Sequence, residues 1–455
     1  MDLIEKIELE LPSLTRNLYS IGVKRSSKKL DDILNSIGEY KIRHTKFYTK
    51  FFYESFINNS FELERIFRWY DSENRNNSME DEIFDIEGKT IDFHLKDFPD
   101  DSSFIYEISE ISEVFIACII KFILYSNNDE YVYNLKRFLM IRLKRYTHKF
   151  NFDVIGENNL SVDGLIIEAF KSSFKTIKIK SKHEKNYEFF KDLKNSYLFD
   201  FMCKFDIAIT TQMKENNIFF MSSRVNAGYN RQGLLEIIPK SIYNSDLIIH
   251  FKKAMSSEDI ATKYLSFYHI IEYYFDSLYN QRIIENLRKW FIDPQICLLD
   301  DHTILNIVDE AKKLKGKSIE DGQGNEFEAF KLVLEKYIDL DKLKMKLKAF
   351  TKERMEKLYG VKINEANMLD FYKNQSVGFL SKEFKINFND DNSVLNNIRN
   401  RIYQTRNSLV HSKDSYTLKT YNPYDDEKDL RKEIPLIKTI AIEIIVNSST
   451  VLSNV

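Results

Sequence analysis

The sequence predicts an α-rich protein in which an N-terminal module of mixed α and β structure, residues 1–255, precedes an all-α helical bundle, residues 257–455. Only 12 Gly and 6 Pro occur in the 455 residues, which favours helices with short connections over flexible linkers. Beyond about residue 255 the apolar residues recur at helical spacing. Several earlier segments instead alternate apolar and polar residues, as strands do. The two patterns predict two domains.

The N-terminal module is expected to contain both helices and strands, in an order that the sequence does not indicate. Helical spacing predicts helices in residues 1–75, including the aromatic stretch Phe47–Tyr70, and again at Ile105–Ser126 and Glu130–Phe150. Alternation on both sides of a glycine predicts a β-hairpin at Ile83–Leu95. Further strands are predicted at Phe174–Lys180, Phe205–Thr211, Ile218–Met221 and Asp246–His250. The alternating lysines of the first of these strands are typical of an exposed edge.

The helical bundle is predicted to begin just after Met255. There Ser256–Asp259 combines hydroxyl side chains for an N-cap with acidic residues for the first turn. Pro435 is predicted in the first turn of the last helix, where a missing amide hydrogen costs nothing. The first helix of the bundle is expected to bury a continuous apolar stripe formed by Ile260, Tyr264, Phe267, Ile271, Tyr274 and Leu278.

The composition predicts a cytoplasmic protein without a membrane segment, and no sequence motif indicates a metal or a cofactor. The formal net charge is −2, so any nucleic-acid site must be a local patch. Three widely spaced cysteines, Cys118, Cys203 and Cys297, are typical of reduced thiols without metal-ligand pairing. The most apolar run, Val114–Tyr125, is too short to span a bilayer. The acidic N-terminus does not resemble a signal peptide.

Several common catalytic motifs are absent from the sequence. It contains no Gly-rich phosphate loop, no paired-histidine zinc motif and no serine nucleophile elbow. The tripeptide Glu87-Gly88-Lys89 imitates the Glu-x-Lys pattern of metal-dependent nucleases, but a hairpin turn is the favoured interpretation. A basic helix near residue 140 interleaves tyrosines with lysines and arginines. It is compatible with an RNA-binding face and, more commonly, with a solvated helix surface.

The segment Arg406–His411 carries the strongest functional signal of the chain. An arginine can neutralise a phosphate and a histidine can move a proton near neutral pH, which suits chemistry on a phosphodiester. On a helical wheel, Asn407 and His411 point roughly opposite the apolar stripe, and Arg406 lies at its edge. The stripe consists of Leu395, Ile398, Ile402 and Leu409. Three further cations suit contacts with a phosphate backbone: Arg399, Arg401 and Lys413. The alternative is a solvated helix surface with an incidental histidine.

The segment Asn397–Ser412 resembles the signature helix of HEPN domains, in which an arginine, a polar residue, a spacer and a histidine mark the ribonuclease site. The likeness extends upstream to Tyr264–Phe275. Downstream it continues through Tyr421–Tyr424 to Ile434–Ile437. These flanks are similar to the ApeA-like HEPN group of bacterial antiphage (abortive infection) proteins. The resemblance covers about residues 257–455, and residues 1–255 resemble no family.

The resemblance implies a metal-independent endoribonuclease that is active as a homodimer or higher oligomer through its HEPN domain. His411 would act as general base on the ribose 2′-OH or as acid on the leaving 5′ oxygen. Arg406 would stabilise the charge of the pentacoordinate phosphate, and Asn407 would orient the imidazole or a phosphate oxygen. The substrate would be RNA, with transfer RNA among the candidates, and the protein would be a toxin or effector in antiphage defence.

The first helix of the bundle adds candidate auxiliary residues. His269, Glu272 and Tyr273 share the face opposite its apolar stripe, where they can line the dimer cleft and position RNA. A polar outer face with helix-spaced charge pairs explains them equally well.

Two questions of function stay open at this point. Residues 1–255 are expected to sense a phage trigger or bind an antitoxin partner, or alternatively to supply substrate specificity. For the HEPN domain the alternative is a non-catalytic module for RNA binding or assembly.

Overall fold

The computed structural model is rich in α-helices, and its described residues also form a five-stranded antiparallel sheet and a two-stranded one, which agrees with the predicted α-rich fold. The chain divides into two compact units, one formed by the described residues up to Leu198 and the other by those from Phe199 onward. The structure describes residues 3–20, 23–25, 29–36, 41–43, 46–56, 103–125, 129–149, 161–206, 208, 239–292, 301–302, 304–306, 308–309, 323–410 and 421–452.

The N-terminal unit consists of helices and an antiparallel sheet. Its elements are α1 (Leu3–Glu10), α2 (Pro12–Ser20), α3 (Lys29–Ser36), β1 (Lys41–Arg43), β2 (Lys46–Tyr48), β3 (Phe52–Phe56), β4 (Phe104–Glu110), α4 (Glu113–Tyr125), α5 (Asp129–Lys149), α6 (Val162–Lys171), β5 (Lys175–Ser181) and α7 (Tyr187–Phe205). The last turns of α7, from Phe199, belong to the C-terminal unit. The apolar helix α4 lies at the centre of the helical core of this unit.

The sheet has the strand order β1-β2-β3-β5-β4, with every neighbouring pair antiparallel. The strand predicted at Phe174–Lys180 is confirmed as β5, but its predicted edge position is wrong. Ile177 of β5 pairs with Ser55 on one side and with Ile108 on the other. Because Ile177 is fully buried, the alternating lysines occupy the opposite face of an interior strand.

Two helix predictions in this unit are wrong where strands form. The stretch from Phe47 belongs to β2 and β3, and Ile105 lies in β4 ahead of the helix. The reason is contact with segments that are distant in the chain. Buried Glu54 of β3, for example, accepts hydrogen bonds from Thr176 and from the Ser112 backbone at 2.6 and 2.9 Å. Such long-range pairing overrides local helical spacing. Helices α4 and α5 are confirmed, whereas the predictions at Ile83–Leu95 and Ile218–Met221 lie outside the described residues.

The described residues of the C-terminal unit are helical apart from loops and a two-residue strand pair. Its elements after α7 are β6 (Ser241–Ile242), α8 (Ser245–Ser256), α9 (Ile260–Glu272), α10 (Phe275–Ile292), α11 (Gln323–Tyr337), α12 (Leu340–Lys348), α13 (Lys352–Tyr359), α14 (Met368–Asn374), α15 (Asp391–Val410), α16 (Glu427–Asn447) and β7 (Thr450–Val451). Helix α9 is central, since it packs against α8, α11, α15 and α16. No helix in the described part of the chain combines the length and apolarity needed to cross a membrane.

The C-terminal unit begins earlier than the predicted boundary near residue 255. Asp246–His250 is part of helix α8, so the strand predicted there is wrong. The reason is that Leu247, Phe251 and Met255 recur at helical spacing and are buried in the core of the C-terminal unit. The α9 N-cap is likewise Asp259, which accepts a hydrogen bond from the Thr262 amide, and not a serine.

Pro435 lies inside α16, eight residues after its first residue Glu427, and not in the first turn as predicted. The hydroxyl of Tyr372, on α14, repairs the helix at this point. It accepts a hydrogen bond from the Leu436 amide at 3.2 Å and donates one to the Lys432 carbonyl at 2.7 Å. The hydroxyl therefore bridges the two backbone groups that would bond each other directly in a regular helix.

We expect Tyr372→Phe to lower the free energy of unfolding by about 1–3 kcal/mol, since it strands a buried amide and a buried carbonyl. Urea denaturation followed by circular dichroism would measure the loss. Tyr424→Phe is the matched control, because the Tyr424 side chain is 95% exposed. Equal stability of the two variants would contradict a repairing role for the Tyr372 hydroxyl.

Candidate active site

Arg406 lies near the C-terminal end of α15, with its side chain only 16% exposed. Ile398 and Ile402 of the same helix are buried, as the wheel predicts, and they fix the rotation of α15. The guanidinium contacts α9: its Nη2 lies 3.9 Å from Glu272 Oε1, and its carbon lies 5.4 Å from the centre of the Tyr268 ring. Two helices that are distant in sequence thus converge on one arginine.

Glu272 joins Arg406 to a histidine. Its Oε2 lies 2.8 Å from Nδ1 of His269, one turn earlier on α9, while its Oε1 faces Arg406. The hydrogen bond from His269 holds the pKa of Glu272 below its ordinary value of 4.5, and the positive charge of Arg406 acts in the same direction. Glu272 therefore remains a carboxylate at neutral pH. Because Nδ1 of His269 is hydrogen-bonded to Glu272, Nε2 is the ring nitrogen that can contact a substrate.

A second histidine, His250 of α8, stands beside the first. The two ring centres are 5.4 Å apart. Burial lowers the pKa of His250, and the positive charges of His269 and Lys253 lower it further. Within the part of the chain that the structure describes, its buried Nδ1 has no hydrogen-bond partner. The cluster thus contains an imidazole that favours the neutral form, next to one that is paired with a carboxylate.

Tyr273 has a positioning role at the edge of this cluster. Its hydroxyl accepts a hydrogen bond from Asn244 Nδ2 at 3.1 Å and reaches Asp246 at 3.5 Å. Asn244 is the N-cap of α8, so Tyr273 ties the end of α9 to the start of α8. His250 and His269 lie on these two helices and are held side by side in part by this contact.

The structure corrects three predictions on the motif helix. Asn407 does not point away from the core: it is 7% exposed, and its Oδ1 accepts a hydrogen bond from Arg406 Nη1 at 3.1 Å. Arg401 is fully buried in a bidentate ion pair with Glu433, so it offers no donor to RNA. Arg399 is 8% exposed and stacks on the Phe327 ring at 3.7 Å. Packing against neighbouring helices, which a wheel does not contain, explains all three positions.

His411 and Lys413 lie outside the described residues. The structure therefore brings together Arg406, Asn407, Glu272 and His269 from the sequence prediction, with Tyr273 beside them. Sequence reasoning missed His250 and Tyr268. The helical spacing of the apolar residues in α8 was the signal that could have placed His250 on a helix beside α9.

Comparisons of the chain with family models, with curated proteins and with solved structures found no match. Among the residues described in the structure, no three His, Cys, Asp or Glu side chains are grouped so that they could hold a metal ion. The cluster contains an arginine that can bind an anion and two imidazoles that can transfer protons. A carboxylate contacts the arginine and one of the imidazoles. This combination suits the binding of a phosphate ester and acid–base chemistry on it.

The stability that Glu272 contributes is expected to depend on pH. Because its pKa is lowered in the folded state, its contribution is present above the ordinary value of 4.5 and is lost as pH falls through the folded-state value. We expect Glu272→Gln to be less stable than the wild type at pH 6 by no more than about 1 kcal/mol, since the pair is partly exposed. Thermal unfolding should show this gap narrowing as the pH is lowered below 4.5. A gap that stays the same size down to the most acidic pH at which the protein folds, or an equal gap for exposed Glu285→Gln, would contradict this role.

Proposed function

We propose that this protein is a metal-independent endoribonuclease of the HEPN type. The observation that carries the proposal is the contact of Arg406, the motif arginine, with the Glu272–His269 pair on another helix. The sequence pattern had assigned the arginine to catalysis and the pair to an auxiliary role. Their convergence in one cluster supports a common role for them, because a helix-spaced charge pair on a solvated surface does not account for the contact with Arg406.

In the proposed reaction the ribose 2′ oxygen attacks phosphorus and the bond from phosphorus to the 5′ oxygen breaks. A proton leaves the 2′-OH and another reaches the departing 5′ oxygen. His411 carries out one of these transfers, and Arg406 stabilises the charge that grows on the phosphate oxygens. RNA ends with a 2′,3′-cyclic phosphate and a 5′-hydroxyl result, and DNA is not cut because it lacks the nucleophile.

The proposal includes a second copy of the chain. Each HEPN motif supplies one half of a cleft, so the active form is a homodimer or a higher oligomer. RNA, including transfer RNA, is the substrate, and antiphage defence is the biological setting that the resemblance supplies. The N-terminal unit then receives the phage trigger or binds an antitoxin partner.

The decisive experiment incubates the purified full-length protein with total RNA in EDTA. We expect cleavage with 2′,3′-cyclic phosphate ends, and its loss in His411→Ala. His183→Ala is the matched control, since His183 is an exposed histidine of the N-terminal unit. Cleavage that persists in His411→Ala, or that needs a divalent metal, would overturn the proposal.

One observation favours a second candidate, a non-catalytic RNA-binding or assembly module. Arg406 is already engaged by Glu272 and Asn407 and is mostly buried, so a phosphate must compete for it. RNA binding without cleavage in the same assay would select this alternative.

A further inference from the structure

The C-terminal unit contains a cavity of about 320 Å³ between α9, α13 and α16. The end of α7 also contributes to its wall through Asp206. This volume falls in the range of small-molecule sites in proteins. We call it the α9–α13–α16 pocket, and none of the candidate active-site residues that the structure describes lines it.

The pocket lies on the side of α9 away from the candidate active site. Lys263 lines the pocket and Glu272 belongs to the active-site cluster, nine residues further along the same helix. At 100° per residue, nine residues reach the opposite face, and they advance about 13 Å along the axis. The pocket is therefore a separate site.

Positive charge dominates the polar lining of the pocket. Four cationic side chains and two carboxylates line it: Lys263, Lys357, Arg431, Lys438, Asp206 and Glu258. Two of the cations are already neutralised. Lys438 is buried in an ion pair with Asp206, and Arg431 pairs with Glu427, which lies outside the lining, at 2.6 Å.

The other two cations lack such partners. Neither Lys263 nor Lys357 makes a hydrogen bond or ion pair with its side chain among the residues that the structure describes. Lys263 is partly buried, and this burial lowers its pKa below the ordinary value of 10.5; the charges of Lys438 and Arg431 act in the same direction, and the carboxylate of Asp206 opposes them. A desolvated ammonium without an ion pair of its own is unfavourable, so an anion bound here would stabilise the pocket.

The remaining walls of the pocket are apolar or aromatic. Phe267 and Ile260 come from α9, Leu358 and Tyr359 from α13, and Ile434 from α16. A simple inorganic ion would leave these surfaces uncovered. A ligand that combines an anionic group with a flat organic part would use both kinds of wall.

We propose that the α9–α13–α16 pocket binds a small phosphorylated molecule of nucleotide size, with its phosphate at Lys263 and Lys357. A phosphate monoester is an anion at neutral pH, which suits a lining whose remaining charges are the two unpaired lysines and one carboxylate, Glu258. Its base or other ring lies against Phe267 and the neighbouring apolar side chains. This site is independent of the proposed ribonuclease activity, since it requires neither RNA nor a second copy of the chain.

Isothermal titration of the full-length protein with the four common nucleoside monophosphates tests the proposal, with ribose 5-phosphate, inorganic phosphate and adenosine as further probes. We expect at least one nucleotide to bind, and adenosine and inorganic phosphate to bind at least tenfold more weakly. Weaker nucleotide binding than inorganic phosphate binding would overturn the role of the apolar walls. Absence of binding by all the phosphorylated probes at millimolar concentration would overturn the proposal.

Substitutions of the two lysines test whether the nucleotide binds in this pocket. Lys263→Met and Lys357→Met are each expected to weaken nucleotide binding at least tenfold. Lys373→Met, at an exposed lysine of α14, is the matched control. Lys357 is also exposed, so its variant keeps the test valid if Lys263→Met does not fold. Unchanged affinity in Lys357→Met together with a folded, unchanged Lys263→Met would place the ligand elsewhere and refute the assignment.

Discussion

Replacing Arg406 by alanine is expected to lower the rate of RNA cleavage by about 10²–10³-fold, the usual loss when one preorganised donor to a transition-state charge is removed. The structure gives the reason for this size. The guanidinium is held by Glu272, Asn407 and the Tyr268 ring, so it is fixed before substrate arrives. Single-turnover kinetics on a short RNA would measure the effect on the chemical step.

The control for this experiment is Arg282→Ala. Arg282 is an exposed arginine of α10, so its loss removes the same charge from the same unit. Thermal unfolding should show that Arg282→Ala keeps the stability of the wild type and that Arg406→Ala is still folded at the assay temperature, so that its loss of activity is not a loss of fold. If Arg282→Ala lost as much activity as Arg406→Ala, net charge and not the motif would explain the result.

Arg401→Met is expected to lower the free energy of unfolding by about 3–5 kcal/mol, the typical cost of breaking a buried ion pair. Arg401 donates to both oxygens of Glu433 at 2.7 Å, and both side chains are almost completely buried. Its Nη1 also donates to the carbonyls of Gln375 and Phe384 at 2.8 Å. The methionine variant leaves a buried carboxylate and two carbonyls without these donors.

The double variant Arg401→Met/Glu433→Leu separates the two contributions. Removing the stranded carboxylate should restore part of the stability, while the loss at the two carbonyls remains. Urea denaturation of the wild type, the single variant and the double variant gives the three values that are needed. A double variant less stable than Arg401→Met would show that the carboxylate is not the source of the loss.

Some features of the fold follow directly from sequence patterns. Ile398 and Ile402 recur at helical spacing, and both are buried in α15. The same rule applied to α9 correctly placed His269 and Glu272 on one polar face. The spacing of the apolar residues and the helix face that they occupy are local properties, so both can be predicted from the sequence.

Other features depend on partners that are distant in the chain. Arg401 was predicted to be a surface cation because its ion-pair partner, Glu433, lies on another helix and cannot be identified from the neighbouring sequence. Phe52–Phe56 form a strand that pairs with β5, far along the chain. Asn407 is buried by the arginine next to it and by packing that a wheel omits. Secondary structure and helix faces were therefore more predictable than the exposure of individual side chains.

The hydroxyl of Tyr372 has a consequence for the order in which the C-terminal unit assembles. A peptide with the sequence of α16 alone has nothing to bridge the gap at Pro435, so it should form two short, unstable helical segments. We expect the continuous helix to form only once α14 has docked and supplied the hydroxyl. Glu433 and Lys438 stand on either side of the proline, so their ion pairs with distant residues are expected to form late and together. Docking of α14 and completion of α16 are therefore expected to be one cooperative step of folding.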